Sequence, residues 1–192
     1  MKKFFILFIL STINVISYGQ NFEIGTGIQF ISFRGADVTS PVYEPVVEDR
    51  FIFNAMVSAH IPIHSPNNEI VFGFNPGLSM GSLSATVATD IPLLLTARYG
   101  AGSSDKSSRT FGFGMGAGAF LSFINSWINN MRPVPYSFAY VTPIITGELA
   151  YLPKSGRLFR LRGEYTPLSL FRSDETFQGL ITQLNIRLIR DF

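Results

Sequence analysis

The chain of 192 residues has no cysteine, two histidines, one tryptophan and only 15% charged residues. Without thiols it has no disulfide framework, no thiolate metal site, no cysteine nucleophile and no cysteine to carry a lipid anchor. A formal net charge of +2 leaves no basic excess, so a nucleic-acid partner is excluded. Disorder is excluded as well, because 46% of the residues are hydrophobic and there are 19 phenylalanines. After residue 20 no stretch shows helical periodicity, and no apolar run reaches the roughly 18 residues of a membrane-spanning helix.

The first 19 residues, MKKFFILFILSTINVISYG, read as a secretory signal peptide. Lys2 and Lys3 form the basic region, Phe4 to Leu10 the apolar core, and Ser17 and Gly19 the small residues before cleavage. Residues 20–192 are then the mature domain, and Gln20, not a cysteine, leads it, so no lipoprotein is expected.

What the mature chain does have is alternation. Eight segments show a period of two, separated by clusters of Gly, Pro, Asn and Ser: 22–33, 51–61, 70–80, 86–99, 111–123, 137–152, 158–168 and 177–192. In each, one face is apolar: Phe51, Phe53, Ala55, Val57 and Ala59, for example, stand opposite Asn54, Met56, Ser58 and His60. The second face decides the class. In a soluble sandwich or barrel it would meet water and be rich in Lys, Glu and Asp. Here it holds Gly25, Gly27, Gly73, Gly77, Gly112, Gly114, Gly116 and Gly118, which suits the inside of a narrow barrel where missing side chains make room for large neighbours. The apolar rows carry almost no charge, Arg190 being the exception, as a surface facing hydrocarbon requires.

These features predict an all-β fold: a closed, antiparallel, eight-stranded transmembrane β-barrel in up-and-down order. Strands of about 9 to 11 tilted residues cross a membrane, and closure leaves no unpaired backbone in lipid. Long connections are expected at about 34–50 and 125–136, and tight ones at 64–69 and 153–157. An even strand number puts both termini on one side, the periplasm for an exported chain. The run 100–110, GAGSSDKSSRT, is longer than a usual periplasmic turn.

The terminal stretch LITQLNIRLIRDF, with Leu184, Ile186, Leu188 and Phe192, resembles the C-terminal signal read by the barrel-assembly machinery of the bacterial outer membrane. With DIPLLLTARYG (90–100) and FGFGMGAGAF (111–120), the chain is similar to the small outer-membrane β-barrel domain family common in Bacteroidota. The resemblance implies a place and an assembly route. Outer-membrane lipid and the assembly machinery are the partners it implies, together with an unidentified protein or surface partner. It carries no catalytic signature and no cofactor.

Placed by their periplasmic ends, the strands point Glu23, Arg98, Glu148, Arg160, Arg162, Glu164 and Arg187 inward at similar depth. Four Arg against three Glu nearly cancel, and the expectation is a paired network filling that half of the lumen, rather than a gated path. Ile52, Asn54, Met56, Ser79, Phe120, Ser122, Tyr140 and Thr166 line the outer half, where a pocket open to the cell exterior is the alternative to simple packing. Ser58 and His60 share a face, which invites a hydrolase reading, but no His lies toward the outer leaflet and neither a catalytic nor a metal site is expected. The loop candidates for contacts are Asp37, Glu44, Glu48 and Asp49 in the first long connection, and Trp127 and Met131 in the third outer one. The sequence thus supports a structural or interaction barrel, with a solute-binding barrel and a lipid-modifying enzyme as rivals.

Overall fold

A computed structural model describes residues 21–37, 44–83, 86–104, 106–126, 136–166, 170–173 and 178–191. The segment read as a signal peptide lies outside them. Nine strands are described: β1 (Asn21–Asp37), β2 (Glu44–Asn67), β3 (Ile70–Leu83), β4 (Thr86–Gly100), β5 (Phe111–Ser126), β6 (Tyr136–Tyr151), β7 (Phe159–Tyr165), β8 (Leu170–Ser173) and β9 (Gln178–Asp191). Neighbours pair antiparallel in chain order from β1 to β7, then β9, and β9 returns to pair with β1. The barrel is closed, and no helix occurs among the described residues.

The ninth strand does not add a stave. Both β7 and β8 pair with β9 and together form the seventh wall segment, interrupted after Tyr165. At the break, Thr166 Oγ1 accepts from the backbone N–H of Gln183 at 2.9 Å, and the Thr166 N–H donates to the Gln183 carbonyl at 3.1 Å. Pro167 follows in the sequence and has no N–H to continue the ladder. The barrel therefore has eight staves.

The strands run longer than the alternating segments suggest. β1 and β2 stay in register out to Asp37 and Glu44, so most of the connection expected at 34–50 is strand, and only 38–43 falls between them. Likewise β5 reaches Ser126 and β6 starts at Tyr136. β2 has 24 residues, more than twice the roughly 9 to 11 that cross a bilayer, so this hairpin stands well beyond any hydrocarbon layer. The opposite end, which carries both described chain ends, has compact connections at 68–69, 101–110 and 152–158. Pairing of β2 with β1 stops at His60; beyond it, Pro62 and Pro66 fall where β2 pairs only with β3, and the register shifts there.

Burial is inverted relative to a water-soluble domain. Phe53 is 59% exposed, Leu95 63%, Phe113 55% and Ile186 54%, while Arg162, Arg187 and Glu164 are fully enclosed. An apolar outer wall on a closed sheet is the surface of a membrane-spanning barrel, because only closure satisfies the backbone in lipid. The core is the lumen.

Candidate functional site: the filled lumen

The charged side chains are brought together by the ladder itself. From β4 around to β1, successive partners in register are Arg98, Gly114, Glu148, Arg162, Arg187 and Gly27. All point inward, because neighbours in register share a face. The two glycines provide the room. A Cβ on Gly114 would meet Glu148 Oε2 at 3.1 Å and Arg98 Cγ at 3.2 Å, and one on Gly27 would lie 2.9 Å from Arg187 Cγ.

Three guanidiniums and two carboxylates form a lattice in which every Arg meets both Glu. Glu23 Oε1 lies 2.7 Å from Arg98 Nη2 and is also bonded by Arg160 Nη1; Glu23 Oε2 accepts from Arg162 Nη2 at 3.0 Å. Glu148 accepts from Arg98 Nε at 2.9 Å and Arg162 Nε at 2.7 Å, and lies 3.3 Å from Arg160 Nε. Ser58 Oγ donates to Glu23 at 2.9 Å, and the Asn75 amide donates to Glu23 at 3.3 Å. Next to the lattice, Arg187 Nη2 is 3.1 Å from Glu164 Oε2, which also accepts from the Asn185 amide at 3.1 Å. The seven residues singled out from the sequence thus make one contiguous cluster, since Arg162 Nη1 lies 3.8 Å from Glu164.

Sequence reading missed an eighth member of the lumen charges. Asp90 is fully buried and accepts from Ser122 Oγ at 2.6 Å, the Gln29 amide at 3.1 Å and Ser79 Oγ at 3.3 Å. It lies within electrostatic reach of Arg187. Counting it, among the described side chains four buried Arg (98, 160, 162, 187) face four buried carboxylates (23, 90, 148, 164), which balance formally. The signal was available: Asp90 has the parity of Arg98 and Thr96, but Pro92 and Leu94 on the same row hide the polar pattern.

Toward the long hairpins the filling becomes apolar. Ile31, Ile52, Ala88 and Ile124 pack together with Tyr140 against them, and Leu94, Phe120 and Ile144 form a second group. Of the side chains considered for an outer pocket, Ile52, Phe120 and Ser122 are at 0% exposure and Met56 and Ser79 at 1%, while Tyr140 is partly buried. At the other end the 101–110 connection is a folded cap. Ala101, Ala150 and Leu158 cluster beneath the lattice, Arg160 Nη2 donates to the Gly102 carbonyl at 3.3 Å, and Ser104 Oγ donates to the Asn68 carbonyl at 2.6 Å. Gly100 and Gly102 adopt φ of +77° and +67°, which the backbone needs to fold over the mouth.

The Ser58–His60 pair does not assemble, since the Ser58 hydroxyl is committed to Glu23. His60 is buried at 1% exposure and lies over Gly73, whose missing Cβ leaves space for the ring. No group of three or more metal-ligating side chains occurs among the described residues. Of the residues considered for assembly or contacts, Leu184, Ile186 and Leu188 are on the outer face of β9, at 41%, 54% and 52% exposure. Asp49 is exposed on β2 rather than in a loop, and Asp37 and Glu44 are in register at the hairpin end, with Glu48 also in the strand. Trp127, Met131 and Phe192 lie outside the described residues.

No protein-family model matches the chain, and no curated protein sequence matches it. Among solved structures it is similar to Neisserial surface protein A, with 10% identity over 89% of this chain and 97% of that one and a TM-score of 0.45. Ail, the attachment invasion locus protein of Yersinia pestis, gives 10% identity, 88% and 98% coverage and a TM-score of 0.44. The outer membrane protein OprG from Pseudomonas aeruginosa gives 10% identity, 91% and 96% coverage and 0.46.

Proposed function

We propose that the chain is an integral outer-membrane protein of a Gram-negative envelope, of the Bacteroidota type that its sequence resembles, working as a structural or interaction barrel. Its termini and compact turns lie in the periplasm, its long hairpins reach the cell exterior, and its contacts with partners are made through those hairpins. The observation that carries this reading is the lumen: a charge lattice under a folded cap at one end and packed aliphatic side chains toward the other, inside an apolar wall. At eight strands a barrel interior is about filled by side chains, so the fold offers presentation rather than passage. The seven charged residues act as a structural filling. The outer face of β9, with Leu184, Ile186 and Leu188, together with the C-terminal Phe192 of the sequence, serves recognition by the barrel-assembly machinery.

The test compares the intact protein with a variant shortened at 38–43 and 127–135 in a cell-surface pull-down. Both should require detergent for extraction, and only the intact chain should retain a surface partner. Stepwise ion conductance of the purified protein in a planar bilayer, or a small molecule held inside its lumen, would overturn the filled-barrel reading.

A further inference from the structure

Near the end with the chain termini, the outer wall carries a groove of about 640 Å³ across β4 to β7 and β9. Its floor is apolar, from Phe113, Leu149, Leu161 and Leu188, all between 47% and 65% exposed. Its edge is aromatic: the rings of Tyr99 and Phe113 are 5.1 Å apart, and those of Phe111 and Tyr151 5.2 Å. Arg109 sits at that edge with its guanidinium 4.9 Å from the Tyr99 ring centre and Nε donating to Glu69 at 2.8 Å, its side chain half exposed. Lys154 and Arg157, both exposed, occupy the neighbouring β6–β7 turn, and Arg190 is in register with Phe159. Among the described side chains the carboxylate at this edge is Glu69, already paired with Arg109.

We propose that this groove binds one anionic phospholipid of the periplasmic leaflet, an acyl chain lying along Phe113, Leu149, Leu161 and Leu188 and the phosphate between Arg109 and Arg157. The proposal rests on the membrane reading above. Charge selects the occupant. Among the described side chains the cations of the groove lie at its aromatic edge, where a girdle marks headgroup depth, and its floor is hydrocarbon in character. A second copy of the chain, docked symmetrically on the same face, would set Arg109 and Arg157 against like charges. An arginine stacked on an aromatic ring is also held in place before the phosphate arrives, which lowers the ordering cost of binding.

Native mass spectrometry of the detergent-solubilised protein tests this with phosphatidylglycerol, diacylglycerol of the same chains and inorganic phosphate as probes. Phosphatidylglycerol should be retained at one per chain, and neither of the others should be. An Arg109→Gln, Arg157→Gln double variant should lose retention by about 10- to 30-fold, as expected for two cations at a membrane surface. Leu149→Trp, which fills the groove and leaves the cations intact, should lose it too, and resistance to detergent denaturation reports whether each variant is folded. Equal retention by folded double variant and parent, retention of diacylglycerol as strongly as phosphatidylglycerol, or a dimer in place of bound lipid would overturn the site. Failure to need detergent would break the membrane reading; needing detergent but holding no phosphatidylglycerol would break only this proposal.

Discussion

At one end of the lumen five ionised side chains are bonded so that each Arg meets both Glu. Toward the other end Ile31, Ile52, Ala88 and Ile124 touch one another. Both regions are buried, but they respond to damage differently. Ion pairs in a low dielectric are directional and mutually dependent, so removing one partner leaves others buried without compensation. Aliphatic packing is local, and its loss scales with the volume removed. The two ends of the lumen therefore differ in their sensitivity to single substitutions.

The largest effect should come from Glu23→Leu. It strands Arg98, Arg160 and Arg162 together, and removing one member of a buried ionic cluster costs about 3 to 5 kcal/mol. Denaturant unfolding in detergent micelles measures it. Replacing Glu23, Arg98, Glu148, Arg160 and Arg162 together by apolar residues of similar volume should restore much of that stability, because the desolvation penalty disappears with the charges. If the single variant is nearly neutral, the lattice is not a mutually dependent unit. Phe120→Ala at the other region should cost about 3 kcal/mol or somewhat more by the cavity it leaves, without any rescue from charge changes at the lattice. A strong coupling between Phe120→Ala and Glu148→Gln in a double-mutant cycle would show that the two regions are not independent.

The inner and outer faces give the next contrast. Leu95 and Thr96 are adjacent on β4, one 63% exposed to the outside and the other enclosed. Leu95→Arg should cost about 2 to 4 kcal/mol in a bilayer if that position is near the midplane, the penalty for a cation on the lipid face of a barrel. Refolding into vesicles measures it. A negligible cost there would mean that the outer wall does not meet hydrocarbon.

Much of this was legible from parity alone. The outward placement of Phe53, Phe72, Leu95, Phe113 and Ile186, and the inward placement of the seven charged residues, follow from period-two alternation once one face is assigned to lipid. The glycines made that assignment, since a row such as 112, 114, 116 and 118 has no use on a wet face but leaves room for Arg98, Glu148 and Thr146 inside. What was less legible lies where alternation stops being enforced. Residues 44–50, EPVVEDR, do not alternate and so read as a loop, although they remain in register with β1. Asp90 was hidden by Pro92 and Leu94, because a lumen that is part polar and part apolar does not impose one chemistry on its inner row. The 101–110 cap depends on contacts with the β2–β3 turn and with Leu158, which no local pattern announces.

The smallest effect is expected at an ion pair on the outside of the barrel. Arg109 and Glu69 have the same chemistry and nearly the same N–O separation as the lumen pairs, 2.8 Å, but their side chains are 51% and 29% exposed. Water and salt screen such a pair, and an exposed ion pair is worth about 1 kcal/mol at most. Glu69→Gln should therefore shift the unfolding free energy by less than about 1 kcal/mol. The shift should shrink further in high salt, whereas the cost of Glu23→Leu should change little with ionic strength because the lattice lies inside the barrel. Equal salt dependence for the two would place the lattice in contact with solvent, and the interior would then have to be described as a wet channel rather than a filled lumen.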